Sequence, residues 1–459
     1  MRDRLQGHGA TIVVSALSTV LAVTLILTTG VLAAALDPNL MEGSATFRMM
    51  FLAVSFVFIG IALYVAAIVT ANTFSTIIAG RTRTIALYRL IGSTSNRMRA
   101  SVAREGLVMG ALGALAGFVV ATGLVAGGVA IAEQLGGLPA GRGYPLFDPL
   151  TLVAVALVIA TTWIAAWVGT KRVGQVSPIA ATGAAVEPSP EVAGGRVGRT
   201  VTAIIFVIIG VALMGLGIAL SPMGIVVAFF GGMFSFTGIM LAAHRIMPPM
   251  LALSGKLLGK SPVARLASAN ATRHPERATR ATIGLVIGVT LVTMFAVALS
   301  SFESMMLTAF GDDPASQAVL GSTIATVTVV LTALVGFSAV IAAVGLVNTL
   351  SLGVIQRTRE LGLLRTLGFT GAQVRGLVIV EAAQMTLTAL VFGVVLGGFY
   401  GWIAATSLLA SEVGIQPPGI PLLVIAGIAV FGIALAALAS FAPSKRAVRV
   451  APVEALAAA

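Results

Sequence analysis

Ten apolar stretches recur along the chain, at 11–36, 49–72, 105–132, 149–170, 201–220, 223–243, 281–300, 324–350, 377–404 and 421–443. Each reaches the roughly 20 residues that a helix needs to cross a hydrocarbon layer of about 30 Å. Inside such a layer every backbone polar group must be paired within the protein, which restricts the chain to helices or a closed barrel. The runs are continuous and do not alternate at every second residue, so they read as helices. Composition agrees: 58% of residues are hydrophobic and 10% charged, against about 25% charged in an ordinary soluble domain. No soluble core could absorb that apolar surface.

Charge placement orients the spans. With the N-terminus and its Arg2 and Arg4 inside, the inner segments hold 26 of the 28 Lys and Arg residues, all except Arg48 and Arg142. Positive residues are retained on the cytoplasmic side, so ten spans with both termini cytoplasmic are expected in a bacterial inner membrane. Eight of the sixteen acids, from Asp37 to Glu412, fall outside. The net charge of +12 is thus a topological signal that also attracts anionic membrane lipid, and no nucleic-acid partner is implied. Ala33 and Ala35 mimic a signal-peptide cleavage site, but the apolar run before them exceeds the 7–15 residues of such a segment, so a retained span is expected.

The chain repeats itself. At an offset of 276 positions Asn72 falls on Asn348, Arg81 on Arg357, Arg83 on Arg359, Arg89 on Arg365, Gly92 on Gly368, Arg99 on Arg375 and Glu105 on Glu381. At 274 positions Lys171-Arg172 meets Lys445-Arg446, and Pro178 meets Pro452. At 271 positions Thr11-Ile12 meets Thr282-Ile283. Spans 1–4 and 7–10 therefore form two copies of a four-helix unit, with spans 5 and 6 as an insert. Both copies start inside, so they are parallel repeats about an axis along the membrane normal. The expected organisation is all-α: a first unit over 1–180, a linker with spans 5–6 over 181–262, and an elbow helix with the second unit over 263–459.

Residues 356–368, QRTRELGLLRTLG, followed by Thr370, Gln373 and Glu381, closely resemble the cytoplasmic segment of FtsX-like (MacB-type) ABC transporter permeases. The first copy, residues 81–92, has Thr84 where the second has Glu360. A third family-like stretch contains Ala267, Asn270, Arg273, Pro275 and Arg277, where such permeases carry an amphipathic elbow. The ten-span order is similar to that of bacitracin-type peptide permeases. The resemblance implies a permease subunit for a lipid, amphipathic peptide or drug. It implies that a separate cytoplasmic ABC ATPase, in two copies, carries the ATP and Mg, so this chain holds no cofactor and is no enzyme. It also implies the docking residues: Arg81, Arg83, Ile85, Tyr88, Arg89 and Gly92 in one copy; Arg357, Arg359, Glu360, Leu361, Leu364, Arg365 and Gly368 in the other.

The residues themselves fit a short amphipathic helix before each third span. Leu361, Leu364 and Leu367 are spaced three apart, as are Ile85, Tyr88 and Ile91, which lays an apolar stripe among arginines. Gly92 and Gly368 suit a left-handed helix end, and Thr370 with Gln373 forms a capping box. The pattern alone also fits a helix lying on lipid. Glu105 and Glu381 enter spans 3 and 9, where they can pair with Arg99, Arg104 or Arg375 or simply favour the helix N-terminus. Gly113, Gly117, Gly393 and Gly397 recur at four-residue spacing, as close helix packing in lipid requires.

Other chemistries find little support in the residues. Residues 255–261, GKLLGKS, have three residues between the glycines where a phosphate-binding loop needs four. His8, His244 and His274 are isolated, cysteine is absent, and neither a metal site nor a catalytic constellation emerges. An ion-coupled transporter usually needs an ionisable residue at mid-membrane, and no span interior has one. A mechanical transmitter acting on an extracytoplasmic partner such as a cell-wall hydrolase remains an alternative. The outer connections, 301–323 the longest, are shorter than the roughly 40 residues a folded external domain needs.

Overall fold

The computed structural model describes residues 2–35, 49, 53–54, 56–61, 63–65, 67–68, 87, 91–134, 138, 141, 143–169, 194–259, 261–273, 275–310 and 363–449. Among them the helices are α1 (Arg2–Ala35), α2 (Ser95–Gln134), α3 (Pro149–Gly169), α4 (Gly194–Ala219), α5 (Ile225–Leu257), α6 (Pro262–Arg273), α7 (Pro275–Phe310), α8 (Gly371–Val413) and α9 (Leu422–Arg449), and no strand occurs. Six are long and apolar enough to cross a membrane, and shorter apolar helices cover Ser15–Val31, Phe56–Val65 and Leu422–Ala434. The protein is an all-α, multi-pass membrane protein. Six of the ten apolar segments coincide with span-length helices, the first, second and tenth contain the shorter ones, and the eighth, 324–350, lies outside the described residues.

Several helices outrun their apolar segments. The segment 377–404 sits within α8 and 223–243 ends fourteen residues before α5 does. Hydropathy marks where lipid begins, whereas the backbone keeps its helical bonds beyond it. Pro248 and Pro249 lie inside α5, where each removes a helical N–H, yet the helix continues to Leu257.

Helix pairing repeats with the sequence. α1 packs along α2, and α7 packs along α8 in the same way; α3 and α9 complete their respective units against α2 and α8. Small residues permit this approach. A methyl group built on Gly117 would sit against the Ala16 carbonyl and 2.9 Å from Thr19 Cβ. On Gly393, the repeat partner of Gly117, it would lie 3.2 Å from the backbone nitrogen of Thr290. On Gly397 it would meet the Thr290 carbonyl and Thr293 Cβ as one on Gly117 meets the Ala16 carbonyl and Thr19 Cβ, so α1 and α7 superpose at this contact with an offset of 274, and not the 271 that Thr11-Ile12 suggests. Gly113 and Gly397 make the same kind of contact, with Ser15 and Thr293, and the Ser15 hydroxyl donates across to the Gly110 carbonyl at 2.7 Å.

The insert, α4 with α5, is a hairpin whose own glycines interlock: a methyl on Gly231 would lie 2.7 Å from the Met214 nitrogen, and one on Gly238 2.7 Å from the Ala203 carbonyl. It packs on α7 and α8. One buried cluster joins all three parts, with Leu21 and Leu25 of α1, Met214 and Phe236 of the insert, and Ile287, Leu291 and Tyr400 of the second unit.

Candidate functional site

The matched turns before α2 and α8 share one left-handed glycine. Gly92 and Gly368 have φ of 93° and 95°, the left-handed region that a Cβ disfavours. At the second turn the Gly368 N–H donates to Arg365 O at 3.2 Å and the Phe369 N–H to Leu364 O at 3.0 Å, the pair of bonds that closes a Schellman helix end. Thr370 then caps α8: its Oγ1 accepts the Gln373 N–H at 3.2 Å, while Gln373 Oε1 accepts the Thr370 N–H at 2.8 Å. The first turn has only half of this device. Thr94 Oγ1 accepts the Arg97 N–H at 3.4 Å, and an arginine in place of glutamine cannot return the bond.

Burial divides the apolar stripe. Leu364 packs inward with Phe369 against Ala267, Val374, Leu377 and Val378, which ties the turn to α6 and α8. Leu363 is 50% exposed and Leu367 72%, and their repeat partners Leu87 and Ile91 are 47% and 80% exposed. Each turn therefore presents an i, i+4 apolar pair outward. The three-residue spacing in the sequence pointed to Leu364 as outward-facing; its contact with Phe369 across the glycine turns it in. Arg81, Arg83, Ile85, Tyr88, Arg89, Arg357, Arg359, Glu360 and Leu361 lie outside the described residues.

Glu105 lies in α2 and Glu381 in α8, both half-buried. Glu381 Oε1 accepts a hydrogen bond from Asn270 Nδ2 at 3.1 Å. Asn270 belongs to the elbow α6, so two sequence signals 111 residues apart meet at one contact. Arg99 lies over the Trp167 ring at 5.0 Å, a cation–π contact at the C-terminal end of α3.

Below this entry is a junction that the sequence did not announce. Gln384, 1% exposed, donates from Nε2 to the Leu251 carbonyl of α5 at 2.5 Å. The Ser254 hydroxyl donates to the same carbonyl at 2.9 Å and lies 2.8 Å from Thr388 Oγ1. A Cβ on Gly255 would approach Ser268 Oγ to 2.6 Å and Gln384 Nε2 to 2.9 Å, so α5, α6 and α8 meet here. Residues 255–257 end α5, and at the start of α6 Ser261 Oγ accepts the Ala264 N–H at 3.1 Å. A lone Gln in an apolar run was the available signal.

The family model described as "FtsX-like permease C-terminal" matches residues 56–178 and 332–452. The two matches begin 276 residues apart and end 274 apart, the offsets of the internal repeat. They cover spans 2–4 and 8–10, leaving α1 and α7 outside. The chain is also similar to the "Uncharacterized ABC transporter permease YknZ" of Bacillus subtilis (strain 168), with 28% identity over 137 residues, which is 30% of this chain and 33% of the relative. The match thus spans about a third of that protein's length.

Proposed function

Because the chain belongs to the FtsX-like permease family, we propose that it is the membrane subunit of an ABC transporter, driven by two copies of a separate cytoplasmic ATPase that bind the ATP and Mg. The observation that carries this reading is the twin turn: the same left-handed glycine and the same exposed apolar pair precede α2 and α8. Two equal docking points on one chain fit two copies of one partner. The short outer connections favour a cargo already in the bilayer, a lipid or an amphipathic peptide or drug, moved outward.

The chain, tagged and purified from its native membranes, is expected to bring down Mg-dependent ATP hydrolysis. Ile91→Asp and Leu367→Asp place a charge in a docked apolar contact, and each should lower the co-purified activity about tenfold. Ile415→Asp, at an equally exposed residue (65%) before α9, should leave it unchanged. Wild-type hydrolysis retained in both turn variants would assign these residues to the lipid surface and remove the docking role.

Orientation is tested separately. Single cysteines introduced into this cysteine-free chain at Arg365 and at Glu412 should react with an impermeant thiol reagent from opposite faces of sealed vesicles. Reaction from one face would overturn the inside placement of the turns.

A further inference from the structure

Between the insert, the second span and the second unit lies an apolar cavity of about 100 Å³, walled in part by Ile61, Met214, Phe236, Leu291, Met294 and Ile403. None of its lining residues is charged. Tyr64 and Tyr400 also line it, but their hydroxyls are already committed. Tyr64 OH lies 2.6 Å from Thr237 Oγ1 and Tyr400 OH 2.5 Å from Ser235 Oγ. The remaining hydroxyl in the wall is that of Thr290, 4% exposed, and its buried Oγ1 has no hydrogen-bond partner.

The first copy of the repeat has no hydroxyl at the matching place. Thr290 stands where Ala16 stands in α1, its carbonyl meeting the Cβ position of Gly397 as that of Ala16 meets Gly117, whereas Thr19 of α1 donates to the Ser15 carbonyl one turn back at 3.0 Å. A threonine in a helix has that bond within reach, yet Thr290 leaves it unmade and lines a cavity instead. Thr290 is central in the apolar segment 281–300, so the cavity is at mid-membrane depth, where hydrocarbon-soluble molecules are available. Apolar cavities of about 150 Å³ stay dry and take up a benzene ring.

We propose that this cavity binds an uncharged amphiphile, a short hydrocarbon or ring body bearing one oxygen that pairs with Thr290. Treating that ligand as cargo rests on the transport reading above; the binding itself does not. The test uses the purified full-length chain in lipid nanodiscs and two photoreactive probes, a diazirine-bearing octanol and the matching octane. Octanol adducts are expected on the lining segments 287–294 and 400–404. Loss of one hydrogen bond should reduce this labelling about tenfold in Thr290→Val, with octane labelling unchanged and Thr290→Ser close to wild type. Gly232 lines the cavity and a Cβ there meets nothing within 4 Å, so Gly232→Leu should fill the space and abolish labelling by both probes. Octanol adducts spread over the lipid-facing helices and unaffected by Gly232→Leu would overturn the site. Equal loss of both probes in Thr290→Val would overturn the role of its hydroxyl. Because labelling needs no ATPase, specific adducts without partner hydrolysis would remove the transport reading and keep the site, and the converse would do the opposite.

Discussion

Replacing Gly397 by leucine is expected to destabilise the protein by about 3 kcal/mol or more, since extra volume in a packed contact costs about 1–3 kcal/mol even where side chains can give way. Here the neighbours are backbone. A Cβ at this position would meet the Thr290 carbonyl at 2.5 Å and the Met294 nitrogen at 2.9 Å, so α7 and α8 would have to separate. Gly398, one residue on, has nothing within 4 Å of its Cβ position, and Gly398→Ala should stay within about 1 kcal/mol of wild type. Thermal unfolding in detergent, followed by loss of the monodisperse species, reads both. A Gly397→Leu variant as stable as Gly398→Ala would show that the two helices do not touch at this point.

Gln384→Ala should cost about 3 kcal/mol, for two separable reasons. Truncating a fully buried side chain leaves a hole, and the Leu251 carbonyl loses the bond that reaches it from α8. Hydrogen bonds between membrane helices contribute about 0.6 kcal/mol on average and up to about 1.7, so packing should dominate. Gln384→Leu restores most of the volume without the amide and should therefore cost only about 1–2 kcal/mol. If leucine proves as damaging as alanine, the hydrogen bond, and not the packing, fixes α5 against α8.

What could be read before the fold was visible follows from which forces act locally. Lipid demands contiguous apolar length, so the spans and the repeat stand out in the residue order, and the two family matches reproduce its offsets. Gly92, Gly368, Thr370 and Gln373 act through bonds a few residues away, and the turn and cap they form were foreseeable for that reason. The orientation of Leu364 was not, because it depends on Ala267 of α6, almost a hundred residues distant. The Asn270 bond to Glu381 and the Gln384 junction were hidden in the same way. Helix ends were not legible for a different reason: apolar patterning reports the hydrocarbon boundary and is silent about a helix that continues into water.

The interlocked glycines have a mechanical consequence. α8 has 43 residues, about 64 Å at 1.5 Å per residue, roughly twice the hydrocarbon thickness. Because α7 is seated against its backbone at Gly393, Gly397 and Gly401, the pair has no joint along that stretch and must tilt as one lever. One end of it reaches the Gly368 turn. At the other end Ser411 donates its backbone N–H to Ser221 Oγ at 3.3 Å, on the tip of the insert. A rod of that length sweeps its far end by about 1 Å for each degree of tilt about the near one, so a few degrees imposed at the Gly368 turn would exceed the reach of that hydrogen bond at the far end.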